Sequence, residues 1–215
     1  MSELVLHGYW RSGTSYRARI ALNLKNLAYR QVGVDLRTGA QSAADYTSLN
    51  PQGLVPALET PSGVLTQSPA ILEWLEEAYP HPPLLPPAAF ARAEVRAMCA
   101  LVACDIHPLQ NLRVLKALRA DYAAGEDAVQ AWPRRWIGAG FDALERLVER
   151  RGGAYAFEDA LTLVDVYLAP QVYSARRFGV DLETWPRLSA AAERAAEHPA
   201  FQRAHPDAQP DADPA

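Results

Sequence analysis

Five prolines between positions 80 and 87 (Pro80, Pro82, Pro83, Pro86 and Pro87) divide this chain into two parts with different periodicities. Proline lacks a backbone donor and clashes with the preceding helical turn, so neither a helix nor a sheet strand runs through such a cluster. The residues before it alternate strand and helix signals. Glu3 to Gly8 reads as a short strand, and beyond Ser15 the residues Ala18, Ile20, Ala21 and Leu24 recur at helical spacing, with Arg17, Arg19 and Lys25 between them. A second strand is predicted over Tyr29 to Leu36, followed by a polar loop through Arg37, Gly39 and Gln41. Leu54 to Leu58 is apolar but contains Pro56, which points to an edge, a bulge or a cis turn rather than a central strand. Val64 to Thr66 gives one more strand. Ser68 as cap and Pro69 at the first helical position then start a helix through Ile71, Leu72, Trp74 and Leu75.

Beyond the cluster the alternation disappears. Helical periodicity occupies segments near 90 to 119, 127 to 150, 162 to 178 and 187 to 197, and Pro108 is expected to bend the first of them. Thr162 and Asp165 match the Ser/Thr-x-x-acid pattern that satisfies two amides at a helix start. The prediction is therefore α/β plus all-α: an N-terminal domain over 1–80, a linker over 81–87 and a helical domain over 88–205. The tail from Pro206 to Ala215, rich in proline, aspartate and alanine, is expected to be disordered.

Composition narrows the function. Of the 215 residues 49% are hydrophobic, enough to give both parts a core, and a net charge of −4 with scattered basic residues leaves no broad footprint for nucleic acid or an anionic membrane. No apolar run approaches the roughly 20 residues that span a bilayer. Cys99 and Cys104 stand five apart on a helical segment and point in different directions, which suits a reduced, cytoplasmic protein. Five histidines and two cysteines lack the close spacings that zinc requires, so no metal is expected.

Any anion site must be local, and three places offer one. Arg11, Ser12, Gly13, Thr14, Ser15 and Arg17 form a hydroxyl-rich strand-to-helix junction, where unpaired amides and the positive helix end favour an anion or a thiolate. Val55 before Pro56 presents backbone to an extended ligand, and Gln67 with Ser68 opens a second helix. In the helical part, His107, Asn111, Arg176 and Arg177 are the polar candidates. Taken singly, each of these features also fits an ordinary cap, turn or solvated helix end.

Together they form a pattern. RSGTSYRARIAL (11–22), LNPQGLVPALET (49–60), TQSPAILEWLEEAYP (66–80), CDIHPLQNLRVLKALR (104–119) and DVYLAPQVYSARRFGVDL (165–182) resemble the zeta class of glutathione transferases, in that family's order and spacing over nearly the whole chain. The resemblance implies a thioredoxin-like N-terminal domain with an all-helical C-terminal domain, a homodimer, and glutathione as cofactor. It also implies cis-trans isomerisation of a maleyl-type dicarboxylate, with maleylpyruvate favoured over maleylacetoacetate by the Ser-Gly-Thr-Ser form of the motif and by histidine at 107. By the same resemblance Ser12 to Arg17 activate the glutathione sulfur, with Ser12, Thr14 and Arg11 in catalytic roles. Val55 pairs with the cysteinyl backbone, Gln67 and Ser68 hold the γ-glutamyl end, and Gln41 lies near the glycyl end. His107 and Asn111 match positions lining the ligand cleft, and Arg177, with Arg176 in reserve, a carboxylate-binding arginine. Many members read Ser-Ser-Cys-Ser where this chain reads Ser12-Gly13-Thr14-Ser15, so both Ser12 and Thr14 stand as partners of the sulfur. The rival readings are a glutathione-conjugating or dehalogenating enzyme and a non-catalytic glutathione binder.

Overall fold

The computed structural model describes residues 3–213. The chain forms two compact units, one comprising the residues up to Pro83 together with those from Glu197 onward, the other Leu84–Ala196. In the first unit a four-stranded sheet has the order β2-β1-β3-β4, made of β1 (Leu4–Gly8), β2 (Tyr29–Gly33), β3 (Ala57–Thr60) and β4 (Gly63–Thr66). β1 pairs parallel with β2 through the crossover helix α1 (Gly13–Leu24), and antiparallel with β3, with Leu6 opposite Leu58. Leu4, Val5 and Leu6 are all buried, as expected of an inner strand covered on both faces. Of the alternatives that Pro56 left open the structure takes the cis turn, at Val55–Pro56, and β3, which begins just after it, is an inner strand rather than an edge. Pro56 lies one residue before its first paired residue, Ala57, so the ring removes no donor from the ladder.

Helix α1 is buried along most of its length, including Arg17 and Arg19. A short helix α2 (Ala44–Leu49) follows the polar loop, and α3 (Ser68–Ala78) packs on α1. Lys25, at the end of α1, donates to Glu76 of α3 at 2.6 Å and to the Pro82 carbonyl at 2.7 Å, fixing the start of the proline-rich stretch. Removing one partner of such a buried pair strands the other charge, which costs about 3–5 kcal/mol.

The second unit is helical throughout its main elements: α4 (Ala89–Ala100), α5 (Leu112–Ala120), α6 (Glu126–Arg151), α7 (Leu163–Arg177) and α8 (Pro186–Ala196). The expected bend near Pro108 is a full interruption, in which α4 runs into a π-helical turn over Leu101–Ile106 and a 3-10 turn over His107–Gln110. Gly140 of α6 accommodates this irregular stretch, since a Cβ there would collide with the Ile106 side chain. Helix α7 is the centre of the unit, and the capping box between Thr162 and Asp165 is formed.

Two sequence expectations are corrected at the C-terminus. The helical unit ends at Ala196 rather than at 205: α9 (Pro199–Ala204) belongs to the first unit, where its buried Ala200, Phe201 and Ala204 pack on α1 and Asn23 donates to the Ala200 carbonyl. The segment expected to be disordered is ordered through 213. A 3-10 turn over Pro206–Ala208 is followed by Gln209, whose buried amide donates to the carbonyls of Arg203 and His205, and by Asp211, which accepts from the Trp10 backbone. Its few polar side chains find specific backbone partners, which compensates for the lack of apolar residues. Pro214 and Ala215 lie outside the described residues.

Candidate active site

β1 ends at Gly8, and the chain turns through Tyr9, Trp10 and Arg11 before α1 begins. The Ser12 amide donates to the Tyr9 carbonyl at 3.0 Å and closes this turn. Ser12 is the N-cap of α1: its backbone is extended, and its hydroxyl accepts from the Ser15 amide at 3.3 Å. No acidic residue occupies the first turn, so no side chain of that turn offsets the positive end of the helix. Ser12 Oγ lies 2.9 Å from Thr14 Oγ1, and Thr14 Oγ1 donates to the Val55 carbonyl at 2.9 Å. A hydroxyl has one proton. Because that of Thr14 goes to Val55, the Ser12 hydroxyl is the donor to Thr14, and Ser12 holds the proton that is free to turn toward a ligand.

Val55 is held with similar care. The preceding carbonyl, Leu54, accepts from the Tyr46 hydroxyl at 2.6 Å and from Asn50 Nδ2 at 2.5 Å, and Val55 packs against the cluster of Val34, Tyr46 and Ala57. Burial pushes the Tyr46 phenol up to about 12, so it remains a donor at neutral pH. The Val55–Pro56 peptide is cis, and the Val55 amide has no acceptor among the described residues.

The pairing of Ala57 with Thr66 brings Gln67 level with Pro56. Gln67 caps α3 with a left-handed φ of 67°, a conformation costly for a non-glycine residue and concentrated at ligand sites; its side-chain amide donates to Gln52 Oε1. Ser68 is therefore the first residue of α3 and not its cap. It is 2% exposed, and its hydroxyl has no partner among the described residues. Gln41, on the 3-10 turn Ala40–Ser42, likewise has a buried Oε1 with no partner among them. Gly53 (φ 63°) passes close to this turn, and a Cβ there would lie 3.2 Å from the Gln41 carbonyl. Buried polar atoms are almost always satisfied, so a cluster of open ones marks where a polar ligand completes the structure.

The structure thus links Ser12, Thr14 and Val55 directly, and places on the same unit Gln41 and Ser68, each with an open polar group, and Gln67, whose side-chain amide is taken by Gln52. It turns two of the expected residues inward. Ser15 is fully buried against Gly8 and accepts from the Tyr9 amide, and Arg17 is 1% exposed, so the ligand-facing hydroxyls reduce to Ser12 and Thr14. Gly13 is the first residue of α1, and the Arg11 guanidinium stacks 5.2 Å from the Trp10 ring. The remaining candidates belong to the second unit. His107 opens the 3-10 turn after the π-helical stretch, and Asn111 caps α5 by accepting from the Arg113 amide at 3.1 Å. Arg176 is paired with Glu193 at 3.1 Å on the surface, whereas Arg177 is exposed beside the Phe178 ring. Among the described residues no cluster of His, Cys, Asp or Glu is arranged to hold a metal, and no helix is long and apolar enough to cross a membrane.

Residues 6–83 match the glutathione S-transferase N-terminal domain family. The chain is 53% identical to the maleylpyruvate isomerase of a Ralstonia species over 92% of its own length and 94% of that protein. A solved maleylpyruvate isomerase, described as a bacterial glutathione S-transferase of the zeta class, superposes with a TM-score of 0.95 at 52% identity, covering 97% of this chain and 100% of that one. The chain belongs to the zeta class of glutathione S-transferases. A second solved relative is the maleylacetoacetate isomerase of Anaeromyxobacter dehalogenans, with a TM-score of 0.89 at 45% identity over 99% of this chain and 98% of that one. That structure holds dicarboxyethyl glutathione and citrate in its active site.

Within this zeta-class site, sequence reasoning missed Tyr46, Asn50 and Gln52, which hold the Val55 turn and the Gln67 side chain, and Asp211, which reaches the Trp10 amide. The Asn50-Pro51-Gln52-Gly53 run is a recognisable turn signal, but nothing local shows which carbonyl Asn50 serves.

Proposed function

We propose that this zeta-class enzyme is a glutathione-dependent cis-trans isomerase that converts maleylpyruvate to fumarylpyruvate, and that accepts maleylacetoacetate as the related substrate. The observation that carries the reading is the hydroxyl relay at the N-terminus of α1, in which Val55 orients Thr14 and Thr14 orients Ser12. Glutathione, when bound, supplies the thiolate that adds reversibly to the cis double bond. The open Val55 amide, the orphaned Ser68 hydroxyl and the Gln41 side chain fit the backbone and carboxylates of such a tripeptide. Ser12 turns its proton from Thr14 toward the sulfur, and the first amides of α1 add the helix dipole, which together hold the sulfur ionised at neutral pH. Thr14 keeps Ser12 in place through its bond to Val55. Arg11 stabilises negative charge that develops on the substrate's carbonyl and carboxylate, and Arg177 is assigned the second carboxylate from its place in the SARRFGVDL motif; Arg176, already paired with Glu193, is not needed for it. The enzyme acts as a homodimer, and its two cysteines, neither of them in a disulfide, suit a reducing cytoplasm.

The test is stoichiometric. Maleylpyruvate mixed with enzyme and a trace of glutathione should be converted completely, with the free thiol titre unchanged at the end. Omitting glutathione should abolish the enzymatic rate, because no protein cysteine stands at residues 12 to 15. Thiol consumption in proportion to product would establish a conjugating transferase instead.

A further inference from the structure

The loop that carries Ser12 is held from outside by the C-terminal segment of the same unit. Both peptide groups of Trp10, two residues before the cap, are occupied. Its amide donates to Asp211 Oδ2 at 3.2 Å, and its carbonyl accepts from Arg19 Nη2 at 2.9 Å. Arg19 is tied in turn to the C-terminal segment, since its Nε donates to the Ala204 carbonyl at 2.9 Å. The second oxygen of Asp211 accepts from Gln31 Nε2 of β2 at 3.1 Å, and Gly33 admits the carboxylate, because a Cβ there would lie 3.2 Å from Oδ2. The segment is pinned on either side of Asp211. Gln209 folds back on the carbonyls of Arg203 and His205, and Asp213 pairs with Arg37 at 2.7 Å, which also holds Asp35.

We infer that Asp211 is a positioning residue for the thiolate-stabilising loop, acting through Trp10; the inference rests on the assignment of Ser12 and the start of α1 to the glutathione sulfur. The Tyr9 carbonyl that closes the loop belongs to the peptide unit whose amide Asp211 holds. The plane of that peptide therefore sets where the Ser12 amide, the Ser12 hydroxyl and the first turn of α1 point. A carboxylate acceptor makes a stronger bond to an amide than a neutral oxygen does, and one that bridges to β2 resists rotation of the loop about its own axis. The γ-glutamyl end of the ligand is held elsewhere, by Ser68, so loosening the loop should affect the sulfur more than the overall affinity.

Asp211→Ala should raise the pKa of the bound glutathione thiol, followed by thiolate absorbance, by about one unit, and lower kcat about tenfold, the scale of one charge-assisted hydrogen bond. The dissociation constant for glutathione, measured by calorimetry, should change less than about threefold, since Ser68 and its charge-assisted bond are untouched. Asp211→Asn, which keeps one acceptor for Trp10, should recover part of both losses. Gly33→Ala, which leaves Asp211 in the chain but crowds its carboxylate, should reproduce the direction of the alanine variant and serves if that variant folds poorly. An identical thiol pKa in wild type, Asp211→Ala and Gly33→Ala would overturn the inference. If instead the wild-type enzyme leaves the bound thiol at the pKa of free glutathione, the assignment of the sulfur site itself fails, an outcome the same titration separates from the first.

Discussion

Ser68 carries a hydroxyl into the interior at the first turn of α3 with no protein partner among the described residues to receive it. An unsatisfied buried hydroxyl is destabilising by roughly 1–3 kcal/mol, whereas the same group bonded to a bound carboxylate is favourable by a similar amount. Its removal should therefore act in opposite directions on folding and binding. Ser68→Ala should leave the free protein as stable as wild type or up to about 1 kcal/mol more so, while weakening glutathione binding by about 1–3 kcal/mol. Thermal unfolding without ligand and calorimetric titration with it measure the two separately, and loss of stability without loss of affinity would make the Ser68 hydroxyl a structural group of the helix start. The same logic separates Ser12 from Thr14. Ser12→Ala removes the donor to the sulfur and should lower kcat by about 1.5–3 kcal/mol in barrier, as loss of a hydrogen bond to a charged group does. Thr14→Val, which keeps the shape and removes both bonds of the relay, to Ser12 and to the Val55 carbonyl, but leaves the Ser12 proton in place, should lower it by less. Equal losses would mean that the two hydroxyls share the sulfur.

At the scale of elements, the start of α7 couples burial to protonation. Asp165 is fully buried and accepts from the Thr162 amide at 2.8 Å, the Thr162 hydroxyl at 3.3 Å and the Ala156 amide at 3.0 Å. Burial raises its carboxyl from the ordinary 3.8 to about 6, and the three donors pull it back only in part. Its folded pKa lies above the unfolded one, so its contribution is fully present below about pH 4. That contribution is lost as pH rises through about 6, where the folded protein must also ionise it, and amounts to roughly 3 kcal/mol on linkage. The difference in unfolding free energy between wild type and Asp165→Ala, from denaturant titrations across this range, should be largest near pH 4 and shrink toward pH 7. A difference that grows with pH would show that the three donors outweigh burial. Lys25 and Glu76 join α1 to α3 in a buried pair of the opposite kind, in which both charges are matched.

For the molecule as a whole, the legible parts were those whose cause is local. The βα rhythm and the Thr162–Asp165 box each depend on residues within one or two turns and stand where the spacing puts them, while the bend expected at Pro108 is part of a wider interruption that begins at Leu101. The missed parts depend on partners distant in sequence. Pro56 announced the cis turn that is there, but not the inner strand after it, because sequence does not reveal that the ladder begins one residue later. The tail looked disordered because composition does not reveal that Asp211 meets an amide 201 residues away. Ser15 looked like a ligand because only the fold shows Gly8 making room for its hydroxyl. The orphaned groups at Gln41, Val55 and Ser68 are distant from one another in the same way, and a single ligand that satisfies them must stabilise the folded chain. Binding to the native state alone adds RT ln(1 + [L]/Kd), about 2.7 kcal/mol at one hundred times the dissociation constant. For a chain of this size each kcal/mol is worth about 2–4 °C, so saturating glutathione should raise the calorimetric midpoint by roughly 5–10 °C. Ser68→Ala, compared at the same glutathione concentration, should show a smaller rise, because its weaker binding reduces the ligand's occupancy ratio while its unliganded midpoint is unchanged or higher. A wild-type midpoint that does not move with glutathione would mean that these open groups belong to some other ligand, and it would remove the cofactor from the proposed reaction.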